Sequence, residues 1–194
     1  MATIAAPPST RRWTRVEYER LIELGVFLPG ERLELLDGLL VLREPQGAPH
    51  ATAIRRVLRA LRRALGDGWQ IDSQLPLALD ADSEPEPDVA VVPGDPGTYR
   101  EAHPSHAVLI VEIAESSYRT DREYKAGLYA RAGIADYWIV DLVHHALEVH
   151  REAEASEAAP FGWRYGRVET LRPPATVAPL VAPGVFIPIA DLLP

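Results

Sequence analysis

Residues 107–141 read AVLIVEIAESSYRTDREYKAGLYARAGIADYWIVD, and the fold follows from this stretch. The opening run, 107–113, is almost unbroken apolar sequence, the pattern of a central strand covered on both faces. Between about Thr120 and Ala132, Asp121, Lys125 and Tyr129 recur at helical spacing, which predicts a helix. ADYWIVD, 135–141, follows as another buried strand. Strand, helix and strand in succession predict an α/β fold. One residue in the first strand breaks the pattern: Glu112, a carboxylate among β-branched neighbours.

A second acid has a similar setting upstream. EPEPDVAVV, 84–92, carries Asp88 from a proline-rich acidic turn into a β-branched run. Burying an acid in a strand is costly unless something pairs with it. Taken alone, Asp88 reads as a solvated turn residue after Pro87, and Glu112 as one half of a plain salt bridge with Lys125 or Arg122. Together, two acids on consecutive strands with a lysine helix behind them favour a site that holds a metal ion or moves a proton. Hard cations such as Mg²⁺ take one or two carboxylates and keep several waters, so these acids, with a backbone carbonyl beside Glu112, suffice as ligands. Such a metal activates water and neutralises a phosphoryl oxygen, while Lys125 can orient the water or stabilise charge on phosphate.

Working outward, 1–12 reads as a flexible lead and 13–194 as a single domain. Thr14 and Glu17 have the spacing of a capping box, so 14–24 forms the first helix, closed near Gly25. ERLELLDGLLVLRE, 31–44, reads as a hairpin turning at Asp37-Gly38. Its Glu34 either faces solvent on an edge strand or points into a cleft. After Pro49, Ile54, Val57, Leu58, Leu61 and Leu65 form one apolar stripe and Arg55, Arg56, Arg59, Arg62 and Arg63 the other side of a helix ending at Gly66. Those guanidinium groups could meet a phosphate backbone; as an isolated run they read more simply as a solvated face balancing the acidic remainder. His50 opens that helix, where a histidine is ordinarily a surface residue. The segment 69–79 predicts one or two short strands, 145–152 and 161–169 more exposed antiparallel strands, and the proline-studded end, 173–194, a surface wrap.

Composition excludes several classes. With no cysteine, disulfides, thiol nucleophiles and cysteine metal sites are absent, and any metal uses oxygen or imidazole ligands. The net charge of −8 argues against a high-affinity nonspecific nucleic-acid binder, although local clustering can overcome the average. No apolar run reaches the length of a membrane span and the start lacks a signal-peptide pattern, so the expected location is cytoplasmic, with no membrane partner. The sequence has no G-x-S-x-G elbow, phosphate-cradling G-x-x-x-x-G-K loop, Rossmann glycine pattern or H-E-x-x-H. A glycosidase pair of acids would leave Lys125 without a role.

The order ELLDG, Pro49-His50 opening a helix, PDVAVV, VEI with Ser-Ser close behind, D-x-x-x-K-x-x-x-Y and GIADYWIVD resembles the Uma-two family of restriction endonucleases, in the PD-(D/E)XK nuclease superfamily. The resemblance runs from Trp13 through nearly the whole chain and is most specific from Glu112 to Asp141. It implies a restriction-endonuclease-like mixed β-sheet core flanked by α-helices, with additional antiparallel strands. It also implies an endonuclease that hydrolyses DNA phosphodiester bonds with metal-activated water and a Mg²⁺ or Mn²⁺ cofactor. By the same resemblance Asp88 and Glu112 are the metal ligands, Lys125 is the catalytic lysine moved from strand to helix, Glu34 is a further catalytic acid, and His50 and Tyr129 line the substrate site. A homodimer is expected, because cutting both strands with one site per chain takes two copies. The chain departs from the pattern at Ala114, where the superfamily places lysine, and at Glu115, which adds negative charge beside the phosphate site. The alternatives are a non-catalytic nucleic-acid-binding or assembly module on the same fold and a hydrolase of small phosphodiesters.

Overall fold

The structure is a computed structural model that describes residues 10–43, 45–95 and 97–194; positions 1–9 of the expected lead lie outside the described residues. Its centre is a six-stranded mixed sheet of β3 (Trp69–Asp72), β4 (Val89–Pro93), β5 (Leu109–Ala114), β6 (Asp136–Asp141), β7 (Ala146–Ala155) and β8 (Trp163–Leu171), hydrogen-bonded in that order. All neighbours are antiparallel except β5 and β6. That parallel pair needs a crossover, and the Lys125 helix supplies it.

Side-chain alternation sorts the strands onto two faces. Leu109, Val111 and Ile113 of β5, with Trp138 and Val140 of β6, join one apolar cluster. It is covered by α2 (Ala48–Leu65), which inserts Ala53, Ile54, Val57 and Leu61. Ile110 and Ala114 point to the opposite cluster with Tyr137 and Ile139, under α3 (Ala126–Arg131). Glu112 has the parity of Ile110 and Ala114, so the strand period itself aims its carboxylate toward α3.

The Lys125 helix begins differently from the regular helix its spacing predicts. Thr120–Lys125 is a π-helical turn, closed by the Ala126 N–H donating to the Asp121 carbonyl, before α3 resumes α geometry. Such turns are uncommon and concentrate at functional sites. Asp121 and Lys125 are both buried on its inner side.

The N-terminal elements pack beside the sheet. In α1 (Arg15–Glu23) the expected capping box of Thr14 and Glu17 is present. β1 (Leu33–Leu36) and β2 (Leu39–Leu42) form the expected hairpin, with Asp37 and Gly38 both at positive φ. The loop 80–87 fastens it: Arg15 N–H donates to the Ala81 carbonyl, Gly38 N–H to Asp82, and Leu35 pairs with Glu84.

Two expectations need correction. The C-terminal segment does not only wrap the surface: Val177, Ile187, Ile189, Leu192 and Leu193 enter the α2-side core, with β9 (Thr176–Val177) pairing β10 (Ile187–Pro188). The first half of β7, Ala146 to His150, is buried, because α3 covers the side that the sequence left exposed. Among the described residues, no helix is long and apolar enough to cross a membrane.

Candidate active site

The hairpin, the first turn of α2, the ends of β4 and β5 and the π-helical turn converge on a cleft of about 210 Å³ lined by Glu34, Arg43, His50, Asp88, Glu112, Asp121 and Lys125, among others. Five of the six site residues expected from sequence meet there. The sixth, Tyr129, stands behind them.

Asp88, immediately before β4, and Glu112, in the middle of β5, are tied together through the backbone. The Asp88 N–H donates to Glu112 Oε2 at 3.2 Å, and the Ile113 N–H donates to Asp88 Oδ2 at 2.9 Å. Asp88 Oδ1 also accepts from Gln74 at 3.1 Å and from Arg43 and Gln46 at 3.3 Å. His50 Nε2 approaches Asp88 Oδ2 to 3.0 Å. The approach is poorly aligned for a hydrogen bond, so this buried nitrogen lacks a well-directed partner among the described residues. Burial alone would raise the Asp88 pKa, but His50, the Ile113 N–H and Gln74 outweigh it and hold the carboxyl below its ordinary value.

Lys125 reaches out of the π-helical turn to Glu112 Oε1 and Glu34 Oε1, each at 3.1 Å. Desolvation would lower its pKa, but Glu112, Glu34, Asp121 and Asp88 together raise it above its ordinary value, so it is an ammonium ion. Glu34 is anchored on its other oxygen by the Glu86 N–H at 3.2 Å. It is 3% exposed, so of its two sequence readings the cleft holds and the solvent-facing edge does not.

One lysine serves several acids. Burial raises Glu112 to about 7, and Asp88, Asp121 and Glu34 push the same way against Lys125. Asp121 is raised to about 6, again chiefly by burial, although Lys125 and the Ser117 hydroxyl at 2.6 Å oppose the shift.

Tyr129 was expected to line the substrate site. It has no exposed surface, donates its hydroxyl to Glu112 Oε1 at 2.8 Å, and packs edge-on against Tyr137 with ring centroids 5.0 Å apart. One helical turn beyond Lys125, it fixes the carboxylate from behind. The pairing of Glu112 with Lys125 that the plain salt-bridge reading foresaw is also present, but as one edge of a larger cluster.

Arg43, Gln46, Gln74 and Ser117 are members of the site beyond the residues expected from sequence, and Asp121 belongs to it as well as to the helical pattern. Asp121 carries a sequence signal, standing four residues before Lys125 at helical spacing. Arg43, Gln46 and Gln74 come from connecting segments whose paths no periodicity reveals.

The donor set fits a hard divalent cation. Asp88 and Glu112 offer carboxylate oxygens fixed side by side, and such an ion needs only one or two of them when it retains water. Among the described residues, no group of three or more His, Asp or Glu side chains is placed to hold a metal ion.

The family model for Uma2, described as "Putative restriction endonuclease", matches residues 15–190. A crystal structure described as "a putative nuclease belonging to DUF820", from Anabaena variabilis ATCC 29413, superposes with a TM-score of 0.62 at 15% identity, over 84% of this chain and 89% of that one. At that identity the likeness establishes a shared fold. No curated protein matches the sequence.

Proposed function

The chain belongs to the Uma2 family, and from that premise we propose that it is a Mg²⁺- or Mn²⁺-dependent endonuclease that hydrolyses phosphodiester bonds in DNA, with water as the nucleophile. The observation that carries the reading is the position of Lys125 Nζ, 3.1 Å from both Glu112 and Glu34, with Glu112 tied through the backbone to Asp88 in one cleft.

Asp88 and Glu112 would hold the cation, which when bound supplies Lewis-acid charge to a phosphoryl oxygen and acidifies a water. The other groups have roles set by their charge. Lys125, held as an ammonium ion, donates to the water or to a non-bridging phosphate oxygen and stabilises developing negative charge; it does not act as the base. Glu34 fixes Lys125 and is placed to assist as a further acceptor for water. Tyr129 holds the Glu112 carboxylate in orientation. His50 stands in the first turn of α2, a helix start with no side-chain cap, where the helix dipole favours a phosphate. Ala114, where the superfamily pattern has lysine, leaves that place to Lys125. Cleavage of both strands takes two copies of a single-centre chain, so the active form is a homodimer.

The test is nicking of supercoiled plasmid at low salt with Mn²⁺ by the wild type and by Lys125→Ala. The variant is expected to lose roughly two to three orders of magnitude, the usual cost of removing one group that stabilises transition-state charge. Equal activity in both would refute the site. A second reading, a non-catalytic nucleic-acid-binding or assembly module, is favoured by one observation: Asp88 and Glu112 are already satisfied by protein donors. Inactivity of both proteins on duplex, single-stranded and structured DNA would select it. Thermal stabilisation by divalent metal that vanishes in Asp88→Ala would support the metal centre independently of turnover.

A further inference from the structure

We propose that the outer face of α2 is a docking surface for the phosphate backbone of duplex nucleic acid, separate from the acidic cleft. The choice of partner class rests on the nuclease reading; the surface itself rests on how the chain distributes its charges.

Helix α2 contains no acidic residue. Its inner arc, Ala53, Ile54, Val57 and Leu61, is buried against the sheet, which leaves Arg55, Arg59, Arg62 and Arg63 exposed on the outer arc. Together with Leu58 these four line one shallow concavity. Among the described residues none of them makes an ion pair or side-chain hydrogen bond; Arg56, on the flank, reaches only the Ala190 carbonyl at 3.4 Å. Asp191 borders a neighbouring depression with Arg63 without pairing with it.

The rest of the molecule behaves differently. Among the described residues outside α2, every arginine and lysine except Arg100 and Arg172 is paired with a carboxylate. This happens in a chain whose 28 acids outnumber its 20 bases. The acids could have paired directly with the helix and, among the described residues, do not: the face is solvated, as its spacing suggests, but its charges stand without carboxylate partners. Arg55 and Arg59, and Arg59 and Arg63, are instead like charges at i,i+4, which repel along an exposed helix. A polyanion relieves that repulsion.

The chemistry narrows the partner. Guanidinium groups bind phosphate oxygens in pairs. From Arg55 to Arg63 the row spans about 12 Å of helix axis, over which a duplex presents roughly seven phosphates. A lipid surface is a poor match, because the apolar stripe that would enter it is already in the core. The cleft is lined by Glu34, Asp88, Glu112, Glu115 and Asp121, and the net charge is −8, so the arginine row offers a phosphate backbone the unpaired cations that the cleft lining, among the described residues, lacks. His50, on the first turn of the same helix, faces Asp88 in the cleft. One rigid element thus carries both the handle and an edge of the site.

The experiment measures binding of a short fluorescent duplex in excess chelator across a salt series, for the wild type and a variant with Arg55, Arg59, Arg62 and Arg63 each changed to Gln. The plot of log affinity against log salt is expected to flatten by about 3 to 4 in the variant, close to one for each phosphate no longer neutralised. Unchanged affinity and slope would overturn the proposal. So would equal competition by polyglutamate of matched charge, or tighter binding to anionic vesicles. Should the fourfold variant fail to fold, Arg59→Gln and Arg62→Gln singly are each expected to lower the slope by about 1. Plasmid nicking with Mn²⁺, run in parallel, separates this claim from the nuclease reading. Wild type that binds in the predicted way but never cleaves removes the enzyme and leaves the surface; cleavage with unchanged binding in the variant removes the surface and leaves the enzyme.

Discussion

Glu112 and Glu148 lie in one cross-strand row, each registered against Ile139 of the strand between them. Both side chains are almost fully buried on the α3 face. Their acidities nevertheless diverge. Glu112 is raised to about 7 and Glu148 is lowered to about 2, although burial pushes both upward. The difference is the supply of donors. Glu148 has Tyr118 at 2.6 Å and Arg122 and His150 at 3.1 Å, with no other acid among the groups that shift it. Glu112 has Lys125, Tyr129 and a backbone N–H, but Asp88, Glu34 and Asp121 share the same lysine and repel it. Burial, then, does not mark the site. At Glu112 the excess of carboxylates over cations is what a divalent ion would neutralise on the proposed reading, whereas Glu84, raised in the same direction, lies outside the cleft.

Removing the shared cation is expected to disturb the Glu112 side most. Lys125→Ala should cost roughly 3–5 kcal/mol at pH 8, because it strands several buried acids. The loss should shrink at pH 5, where those acids accept protons; urea titrations at the two pH values check it. An equal loss at both would mean that Lys125 stabilises by packing alone.

Tyr129→Phe tests the donor supply more gently. It leaves Glu112 Oε1 short of one buried hydrogen bond, with an expected cost of about 1–3 kcal/mol read from the same titrations. Cleavage should fall with it, since the carboxylate loses its orientation, whereas a pure packing residue would leave activity per folded molecule unchanged.

On the Glu148 side the test is pH dependence. The folded Glu148 carboxyl lies below its ordinary value, so its contribution is complete above about pH 4.5 and is lost as the pH falls through about 2. The melting temperatures of the wild type and Glu148→Gln are therefore expected to differ at neutral pH and to converge below pH 3. Glu84 supplies the opposite sign: burial raises it to about 7, helped by Glu19. The stability it confers is present below pH 4.5 and is lost as the pH rises through 7, so Glu84→Gln should melt higher than the wild type at pH 8 and alike at pH 4. The smallest effect belongs to the exposed Arg119–Glu123 pair; Glu123→Gln should leave the melting temperature unchanged.

Much of this arrangement is legible in the sequence because it depends on periodicity. The nearly unbroken apolar run of β5 identifies Glu112 as a buried acid, and helical spacing groups Asp121, Lys125 and Tyr129 even though the turn between them is π-helical. The Asp37-Gly38 signal fixes the hairpin that carries Glu34. Periodicity fails where the chain is irregular. Arg43, Gln46 and Gln74 reach Asp88 from loops, and their partners depend on tertiary paths. The prolines of 173–194 suggest a surface strap, yet Val177, Ile187, Ile189 and Leu192 between them supply a wall of the core. The arginine row is plain in the sequence, but its lack of acidic partners becomes visible only when the rest of the molecule is folded.

On the proposed function the two glutamates of one row divide the work, Glu112 serving chemistry and Glu148 serving stability. The most direct measurement of that division is single-turnover nicking of supercoiled plasmid with Mn²⁺ by Glu112→Gln and Glu148→Gln beside the wild type, with melting temperatures recorded on the same preparations. Glu112→Gln is expected to abolish cleavage while remaining folded, and Glu148→Gln to cleave at the wild-type rate but melt earlier. Cleavage by folded Glu112→Gln at the wild-type rate would contradict the division.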